Sequence, residues 1–535
     1  MINFSLPAII SILAGLFFFI IPNIKKIVKI LAGVISGLVL VLTIFTLNQC
    51  PGGAVAKLIY LFIGIFGFLI SIYSAGWLEE KENKFFSYVF LALFASFGVI
   101  TSGDWLSFAV YWGITGISLY LLIALKDEAN IPAKKTLIIL GASDGFLLLA
   151  IAILFKANGS FEISSSPFSY IAFVCLLIAS FAKAGAMPLH TWIPPVSDKS
   201  YVPVFAFLPA SLDKLLGIYL LAKVFQIFNV PLGWKVFVMV TGAITIICAV
   251  YMALAQHTAK KLLAYHAVSQ VGYMVLGIAT ANPLGIVGGI FHMLNNAIYK
   301  SSLFLGVGTV EKTLNTDQLE KLGGLAGRFP ITFFSMLVAS FSISGIPPFN
   351  GFFSKWFIYQ GVLSSFSENK NLLIILCLVF ALFGSALTLA SFMKLMHAIF
   401  LGVKSQKKEE RKGEKFALVF PQIILSLFCI VLGVFGGSVF VKPVFGEVPQ
   451  TGVWFSEIST VLIVSGILLG ILIYIASNIK TRKVLNFVCG ENITEEMKIS
   501  GVEFYTSIEN IRPVSYTHLR AHETSLHLVC RLLLE

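Results

Sequence analysis

The chain has 535 residues, of which 57% are hydrophobic and only 12% are charged, and its mean hydropathy is +0.91. A soluble protein of this length needs more charge to cover its surface, so the composition excludes that class. The formal net charge of +12 does not require a nucleic-acid partner, because basic residues of membrane proteins collect in cytoplasmic loops.

Apolar runs of about 20 residues, the length that spans a bilayer, recur throughout the sequence. We count about fifteen segments, near 5–22, 28–47, 56–77, 85–103, 105–125, 135–155, 168–195, 202–228, 234–256, 262–280, 284–309, 330–366, 371–402, 416–441 and 456–478. The first lacks a preceding basic region and a small-residue cleavage site, so we interpret it as a retained span rather than a signal peptide. The predicted fold class is an all-α polytopic membrane protein with about 14–15 transmembrane helices.

Basic residues alternate from loop to loop. Loops after even-numbered segments contain only Lys156, Lys235, Lys370 and Lys442. Loops after odd-numbered segments contain Lys25, Lys26, Lys29, Lys81, Lys84, Lys126, Lys134, Lys199, Lys260, Lys261, Lys312, Lys321, Arg328, Lys404, Lys407, Lys408, Arg411, Lys412 and Lys415. The positive-inside rule then predicts an outside N-terminus and a cytoplasmic C-terminus in the inner (plasma) membrane.

Glycine and proline interrupt two segments, the seventh and the twelfth. In the seventh, GAMPLHTWIPP follows Lys183, and in the twelfth, SGIPPFNGFFS precedes Lys355. These segments lie five apart, an odd number, so they would cross the membrane in opposite directions. We therefore predict two inverted five-helix repeats with broken helices 7 and 12. The alternative is that glycine and proline are simply common in membrane helices.

This topology predicts six regions of the chain. They are helices 1–3 in 1–84, the first repeat (helices 4–8) in 85–228, the second repeat (helices 9–13) in 229–403, helices 14–15 in 404–479, a cytoplasmic tail in 480–512, and 513–535. The last 23 residues change composition abruptly and hold three of the eight histidines. They resemble translated sequencing-adapter read-through, so we exclude them from arguments about fold or metal binding.

Ionisable residues inside the apolar segments are the strongest functional signal, because charge at membrane depth is costly and usually marks an ion path. They are Asp144, Lys183, Asp213, Lys214, His266, His292, Lys300, Lys355, Lys394 and His397. None is an arginine, and a lysine amine can give up its proton where a guanidinium cannot. A row of lysines and histidines therefore predicts a proton pathway. For Lys394 and His397, near a cytoplasmic end, snorkelling is an equal alternative.

One helix face within the eleventh segment carries three polar residues. His292, Asn296 and Lys300 are spaced i, i+4, i+8, so they share that face and should point to a wet interior. The seven cysteines show no CxxC or cluster spacing, and there is no P-loop or GxGxxG after a strand. We therefore expect no cofactor and no metal in this chain, and any redox centres would sit on partner subunits.

Four sequence motifs resemble the antiporter-like proton-translocating subunits of complex I, membrane-bound hydrogenases and Mrp-type antiporters. They are PLHTWIPP after Lys183, LLAYHAVSQVGYMVLG at 262–277, FHMLNNAIYKSSLFLGVGTV at 291–310 and SGIPPFNGFFSKW at 344–356. The resemblance covers roughly residues 60–400 and is nearest the hydrogenase-associated branch. It implies fourteen core helices, two half-channels and a central hydrophilic axis.

The resemblance also assigns residues to that axis. Lys183 matches the lysine of the first broken helix, His292 and Lys300 match the His and Lys of the eleventh helix, Lys355 matches the lysine after the second break, Asp144 matches an acid of the sixth helix, and Lys214 lies about one position from the usual bridging residue. The family's glutamate on the fifth helix, expected to pair with Lys183, is replaced by Gly113. Asp144 or a partner subunit would then provide the missing charge, unless this half-channel is weakened or inactive.

These observations predict a proton-translocating subunit of a respiratory redox complex, of NADH:quinone oxidoreductase or hydrogenase type. It would use Lys183, Lys214, His292, Lys300, Lys355, Asp144 and Lys394, would not be catalytic alone, and would depend on other membrane subunits of the complex. The alternative is an Mrp-type Na⁺/H⁺ antiporter subunit without a redox partner, and Na⁺ in place of H⁺ also fits. A third alternative, kept open by Gly113, is a membrane scaffold that has lost transport.

Overall fold

A computed structural model describes residues 5–402, 414–447 and 456–476. Within these ranges the chain is helical, and β pairing is limited to two isolated bridges, Asp104 with Glu162 and Thr258 with Gln318. The predicted tail at 480–512, the region 513–535 and the loop lysines at 404–412 lie outside the described residues.

The described residues form nineteen α-helices: α1 Leu6–Ile20, α2 Lys25–Phe45, α3 Ala54–Trp77, α4 Glu82–Thr101, α5 Trp105–Ala124, α6 Asn130–Asn158, α7 Tyr170–Ala184, α8 Ile193–Lys199, α9 Val202–Phe207, α10 Asp213–Ile227, α11 Leu232–Leu254, α12 Ala259–Ala279, α13 Pro283–Leu314, α14 Pro330–Ser344, α15 Asn350–Asn369, α16 Leu372–Met396, α17 Phe416–Val434, α18 Lys442–Phe445 and α19 Ser456–Ala476. Three π-helical turns lie at Leu208–Leu212, His397–Leu401 and Gly437–Val441. Short 3₁₀ turns lie at Leu47–Gln49, Asp127–Ala129 and Leu319–Lys321.

Each of the predicted segments coincides with a helix or a pair of helices. Ten helical stretches of the described chain are long and apolar enough to cross a membrane, and four shorter apolar helices match the first, seventh, twelfth and fifteenth segments. The remaining segment is α13, whose mean hydropathy is lowered by residues such as His292, Asn296 and Lys300. The protein is therefore an all-α, multi-pass membrane protein, as predicted.

Both interrupted segments are broken helices. Gly185 caps the end of α7 with φ of +78°, and Gly345 caps the end of α14 with φ of +79°, a conformation that favours glycine. The chain resumes as a helix at Ile193 in the first case and at Asn350 in the second. The Met187–Pro188 and Pro347–Pro348 peptide bonds are cis. Helices 7 and 12 of the prediction are therefore interrupted in the same way.

Ion pairs join the loops that follow odd-numbered segments. These pairs are Lys29–Glu82 at 3.5 Å, Lys81–Asp127 at 3.3 Å, Lys261–Asp198 at 3.4 Å, Lys260–Glu311 at 2.6 Å and Lys312–Glu79 at 2.5 Å. The Tyr201 hydroxyl donates to Glu80 at 2.6 Å and links the third and seventh loops. The loops after segments 1, 3, 5, 7, 9 and 11 therefore meet at one end of the bundle, which agrees with the alternation of basic residues.

The most buried helices lie at the centre of the bundle. The stretch Val202–Ile227 and helices α12 and α13 are buried along almost their whole length, whereas only 28% of the apolar window of α2 and 33% of those of α6 and α16 is buried. A charged side chain on a central helix is therefore shielded from lipid by the surrounding helices. This is the setting of Lys214 on α10 and Lys300 on α13, while Lys183, Lys355 and Lys394 are buried on the inner faces of other helices.

Candidate functional site: a buried row of lysines and histidines

Lys183 lies in the last turn of α7 and is buried against α5. Its Nζ donates to the carbonyl oxygen of Trp112 at 3.1 Å and to the hydroxyl of Thr115. The same Nζ lies 4.5 Å from the centroid of the Trp112 ring, within cation–π range. The predicted lysine is therefore held on α5 by neutral acceptors and an aromatic face.

Asp144 is half-buried on α6 and contacts the same tryptophan. Its Oδ1 accepts a hydrogen bond from Trp112 Nε1 at 2.9 Å, and its charge acts on Lys183. The side chains of Asp144 and Lys183 form no ion pair within 4.0 Å in the described part of the chain; Trp112 connects them. The structure thus brings the predicted acid near the lysine, but only indirectly.

Gly113 occupies the place of the missing glutamate on α5. A Cβ added there would have no neighbouring atom within 4 Å. The absence of an acid at this position is therefore not forced by crowding, since the surrounding helices leave room for a side chain.

Lys214 lies on α10, next to the break in α7. Its Nζ donates at 2.8 Å to the carbonyl oxygen of Ala184, the last residue of α7. The π-helical turn at Leu208–Leu212 comes directly before α10. Such a turn takes in one extra residue relative to an α-helix, so it helps to set the direction in which Lys214 projects from α10.

The polar face of α13 lies at the centre of the bundle and is fully buried. His292 Nδ1 is 2.9 Å from Ser354 Oγ, and its Nε2 is 3.1 Å from Gln270 Oε1. Lys300 Nζ donates to the carbonyl oxygen of Leu263 at 2.9 Å. The polar face of α13 is therefore hydrogen-bonded both to α12 and to α15.

Asn296 lies between these two residues on α13 and contacts the predicted first repeat instead. Its Nδ2 donates at 3.4 Å to the carbonyl oxygen of Ala210, inside the π-helical turn that precedes Lys214. The charge of Lys214 also acts on Lys300. The middle of α13 thus connects the predicted first half-channel with the second.

Lys355 lies after the second break, and its ammonium group also contacts neutral groups. Its Nζ donates to the carbonyl oxygen of Ile343 and to Ser385 Oγ, both at 2.9 Å, and lies 4.7 Å from the Tyr273 ring centroid. Lys355 therefore satisfies a carbonyl near the end of α14, much as Lys214 does for α7.

Two further predicted residues, Lys394 and His266, are buried at α16: Lys394 lies on this helix, and His266 contacts it from α12. Lys394 Nζ donates to the carbonyl oxygens of Leu254 at 2.9 Å and Gln256 at 3.3 Å, so it satisfies the end of α11. His266 Nε2 is 2.7 Å from Ser391 Oγ, and the charges of Lys300 and Lys355 both act on this imidazole. His397 is exposed and stands apart from the buried row.

Sequence reasoning missed several polar partners of these residues. Trp112, Gln270, Tyr273, Ser354 and Ser385 bond or cover the lysines and histidines, yet each lies on a different helix from the residue it contacts. The one available signal was their occurrence inside membrane-length segments, where polar groups need partners. Asp213 was noted as an intramembrane charge but was not assigned to the axis.

Broken helices, a shared ion-paired end and a buried lysine–histidine row together define the class of antiporter-like ion-transport subunits. The comparison with protein families agrees, since residues 102–400 match the model of "NADH:quinone oxidoreductase/Mrp antiporter, TM". The chain belongs to this family.

Named relatives come from Na⁺/H⁺ antiporters. The chain is 31% identical over 401 residues to Na⁺/H⁺ antiporter subunit A1 of Staphylococcus epidermidis, covering 69% of this chain and 50% of that protein. Subunit A1 of Staphylococcus aureus is 30% identical over 410 residues, covering 70% and 51%. The chain thus spans about half the length of the curated relatives it matches.

Solved structures with the same fold come from three kinds of complex. A chain of the membrane-bound sulfane sulfur reductase, an archaeal respiratory membrane complex, superposes with a TM-score of 0.84 at 20% identity, covering 98% of this chain and 95% of that one. A chain of the Mrp complex from Dietzia sp. gives 0.72 at 20%, covering 83% and 96%. A chain of respiratory complex I from Thermus thermophilus gives 0.66 at 22%, covering 82% and 97%.

Proposed function

We propose that this chain carries protons across the inner (plasma) membrane along its buried lysine–histidine row, as a subunit of a respiratory redox complex. Electron transfer on partner subunits of the complex, of NADH:quinone oxidoreductase or hydrogenase type, would drive the transport, and other membrane subunits would assemble with this chain. The row comprises Lys183, Lys214, Lys300, His292, Lys355 and Lys394, with Asp144 beside its first member.

The observation that carries this proposal is how the buried cations are held. Lys183, Lys214, Lys300 and Lys355 each bond to backbone carbonyls or hydroxyls. An ammonium held by neutral acceptors can release its proton without breaking an ion pair, whereas a direct carboxylate partner would favour its charged form. Imidazole and hydroxyl groups between the lysines can both accept and donate a proton.

Asp144 has a defined place in this proposal. Because it contacts Lys183 only through the Trp112 indole, we assign it a stabilising role at long range rather than direct proton exchange. The N-terminus would lie outside and the joined odd-numbered loops would face the cytoplasm, as the positive-inside rule requires.

An Mrp-type Na⁺/H⁺ antiporter is the second candidate, favoured by the named relatives at 30–31% identity. The same row would then move protons against Na⁺, with small antiporter subunits as partners and no redox centre in the complex. The membrane scaffold without transport is the remaining alternative.

Inside-out membrane vesicles from cells expressing the whole complex distinguish these functions. Acidification of the vesicle interior, followed with a pH-sensitive dye after adding an electron donor, is expected for the redox-driven pump. A pH change that follows a Na⁺ pulse and needs no electron donor would establish the antiporter instead. Absence of both signals, with the complex assembled on native gels, would contradict the proposal and leave the scaffold.

A further inference from the structure

Asp213, the first residue of α10, is a buried acid whose oxygens the protein leaves unused. Its side chain is fully buried, and neither carboxylate oxygen accepts a hydrogen bond from any described residue. A buried ionised carboxylate is costly unless it is paired and hydrogen-bonded. An acid retained in this state therefore needs a specific reason.

The face of α10 that carries Asp213 packs against the last turn of α7. Gly217 lies four residues further on, so it shares that face with Asp213. A Cβ at Gly217 would come within 2.6 Å of the backbone nitrogen of Ala184, next to Lys183. Ser180 Oγ, also on α7, donates to the carbonyl oxygen of Gly217 at 2.8 Å.

Two cations and two acids lie around this part of α10. Lys183 and Lys214 are the cations whose charges reach Asp213, and Asp213 and Asp144 are the acids whose charges reach Lys183. Asp144 already accepts the Trp112 N–H, whereas Asp213 has both oxygens available.

We infer that Asp213 is the carboxylate that exchanges a proton with Lys183. It would take the role expected for a glutamate on α5, where this chain has Gly113 instead. This inference rests on the proposed function and adds a member to the proton row. No ion pair within 4.0 Å joins Asp213 to Lys183 among the described residues, so the Lys183 side chain must move toward α10 before the transfer. One N–H bond of the Lys183 ammonium then breaks and one O–H bond forms on Asp213, giving a neutral amine and a carboxylic acid. The pair has zero net charge before and after the transfer, so its burial is tolerated in both states. Asp144 then acts as a positioning residue that holds Trp112 under Lys183.

The test compares Asp213→Asn with Asp144→Asn and Lys300→Ala in the whole complex. We expect Asp213→Asn to reduce vesicle acidification to the background seen with Lys300→Ala, and Asp144→Asn to reduce it partially. Wild-type acidification by Asp213→Asn, with transport lost in Lys300→Ala, would overturn this inference alone. Wild-type acidification by both Asp213→Asn and Lys300→Ala would overturn the proposed function itself.

Infrared difference spectroscopy of the purified complex provides a readout that a merely structural acid would not give. A carboxyl C=O band that appears and disappears with turnover should be absent in Asp213→Asn and retained in Asp144→Asn. The same band in Asp213→Asn would contradict the assignment.

Charge cancellation keeps the test valid if Asp213→Asn fails to assemble. Lys183→Gln combined with Asp213→Asn removes both charges together, so this double variant should assemble better than either single variant and still not transport. Lys183→Gln with Asp144→Asn is the matched control and should show a smaller recovery. Equal recovery in the two double variants would show that Asp213 is not the partner of Lys183.

Discussion

Trp112→Phe tests how Asp144 is connected to Lys183. The substitution removes the indole N–H that donates to Asp144 Oδ1 at 2.9 Å. It keeps an aromatic face beneath Lys183, whose Nζ lies 4.5 Å from the indole centroid in the wild type. Trp112 is only 1% exposed, so the smaller ring also leaves a cavity. Two effects are therefore expected, the loss of a charge-assisted hydrogen bond and the loss of packing.

Trp105→Phe on the same helix isolates the hydrogen bond. Trp105 is 2% exposed, and its indole nitrogen donates to no carboxylate among the described residues. The packing loss is similar in the two variants, whereas a hydrogen bond to a charged group contributes about 1.5–3 kcal/mol. Trp112→Phe should therefore destabilise the protein by about 1.5–3 kcal/mol more than Trp105→Phe.

Denaturant unfolding of the two variants in the same detergent micelles measures this difference. Adding Asp144→Asn to each variant completes a double-mutant cycle, and the second change should cost less in the Trp112→Phe background. Equal destabilisation by the two tryptophan substitutions, with no coupling to Asp144, would refute the connection of Asp144 to Lys183 through Trp112.

Three further predictions follow from the breaks, the acids and the ion-paired end. Gly185→Ala should destabilise the protein more than Gly159→Ala. Both glycines have positive φ, and left-handed backbone costs an alanine roughly 1–2 kcal/mol at either position, but only at Gly185 would a Cβ collide with a neighbour, Ile193. Equal midpoints of the two variants in thermal unfolding would argue against tight packing at the break after α7. Asp144→Asn should lower vesicle acidification, and unchanged pumping by the assembled complex would show that Asp144 has no part in proton transport. Lys312 lowers the pKa of Glu79 by a hydrogen bond and by its charge. This pair should therefore stabilise the protein at neutral pH and lose that effect as pH falls below about 4. Because an exposed pair contributes little, the difference in thermal unfolding between wild type and Glu79→Gln should be small at neutral pH and should vanish in acid.

Much of the fold was predictable because the bilayer sets the length of each helix. The two breaks were also visible, since Gly185 and Gly345 each precede proline-containing stretches within membrane-length runs. The alternation of loop lysines correctly identified which loops meet at one end. What the sequence cannot show is which faces of distant helices meet, because that depends on packing rather than on local pattern.

The candidate site shows the same limit. Lys183, Lys300 and Lys355 stand out in the sequence because each is a lone charge in an apolar run. Their contacts with Trp112 and Tyr273 depend on the crossing of helices that lie far apart in the chain. The π-helical turn before Asp213 and Lys214 is equally hidden, since one extra residue in a turn leaves no local composition signal.

Lys300→Ala tests the central claim most directly, because Lys300 lies at the middle of the buried row and faces no described carboxylate. Its matched control is Lys223→Ala, which removes a half-buried lysine beside the Tyr219 ring, away from the row. Inside-out vesicles with equal amounts of assembled complex should lose acidification in Lys300→Ala and keep it in Lys223→Ala. Wild-type acidification by Lys300→Ala would contradict proton transport along this row.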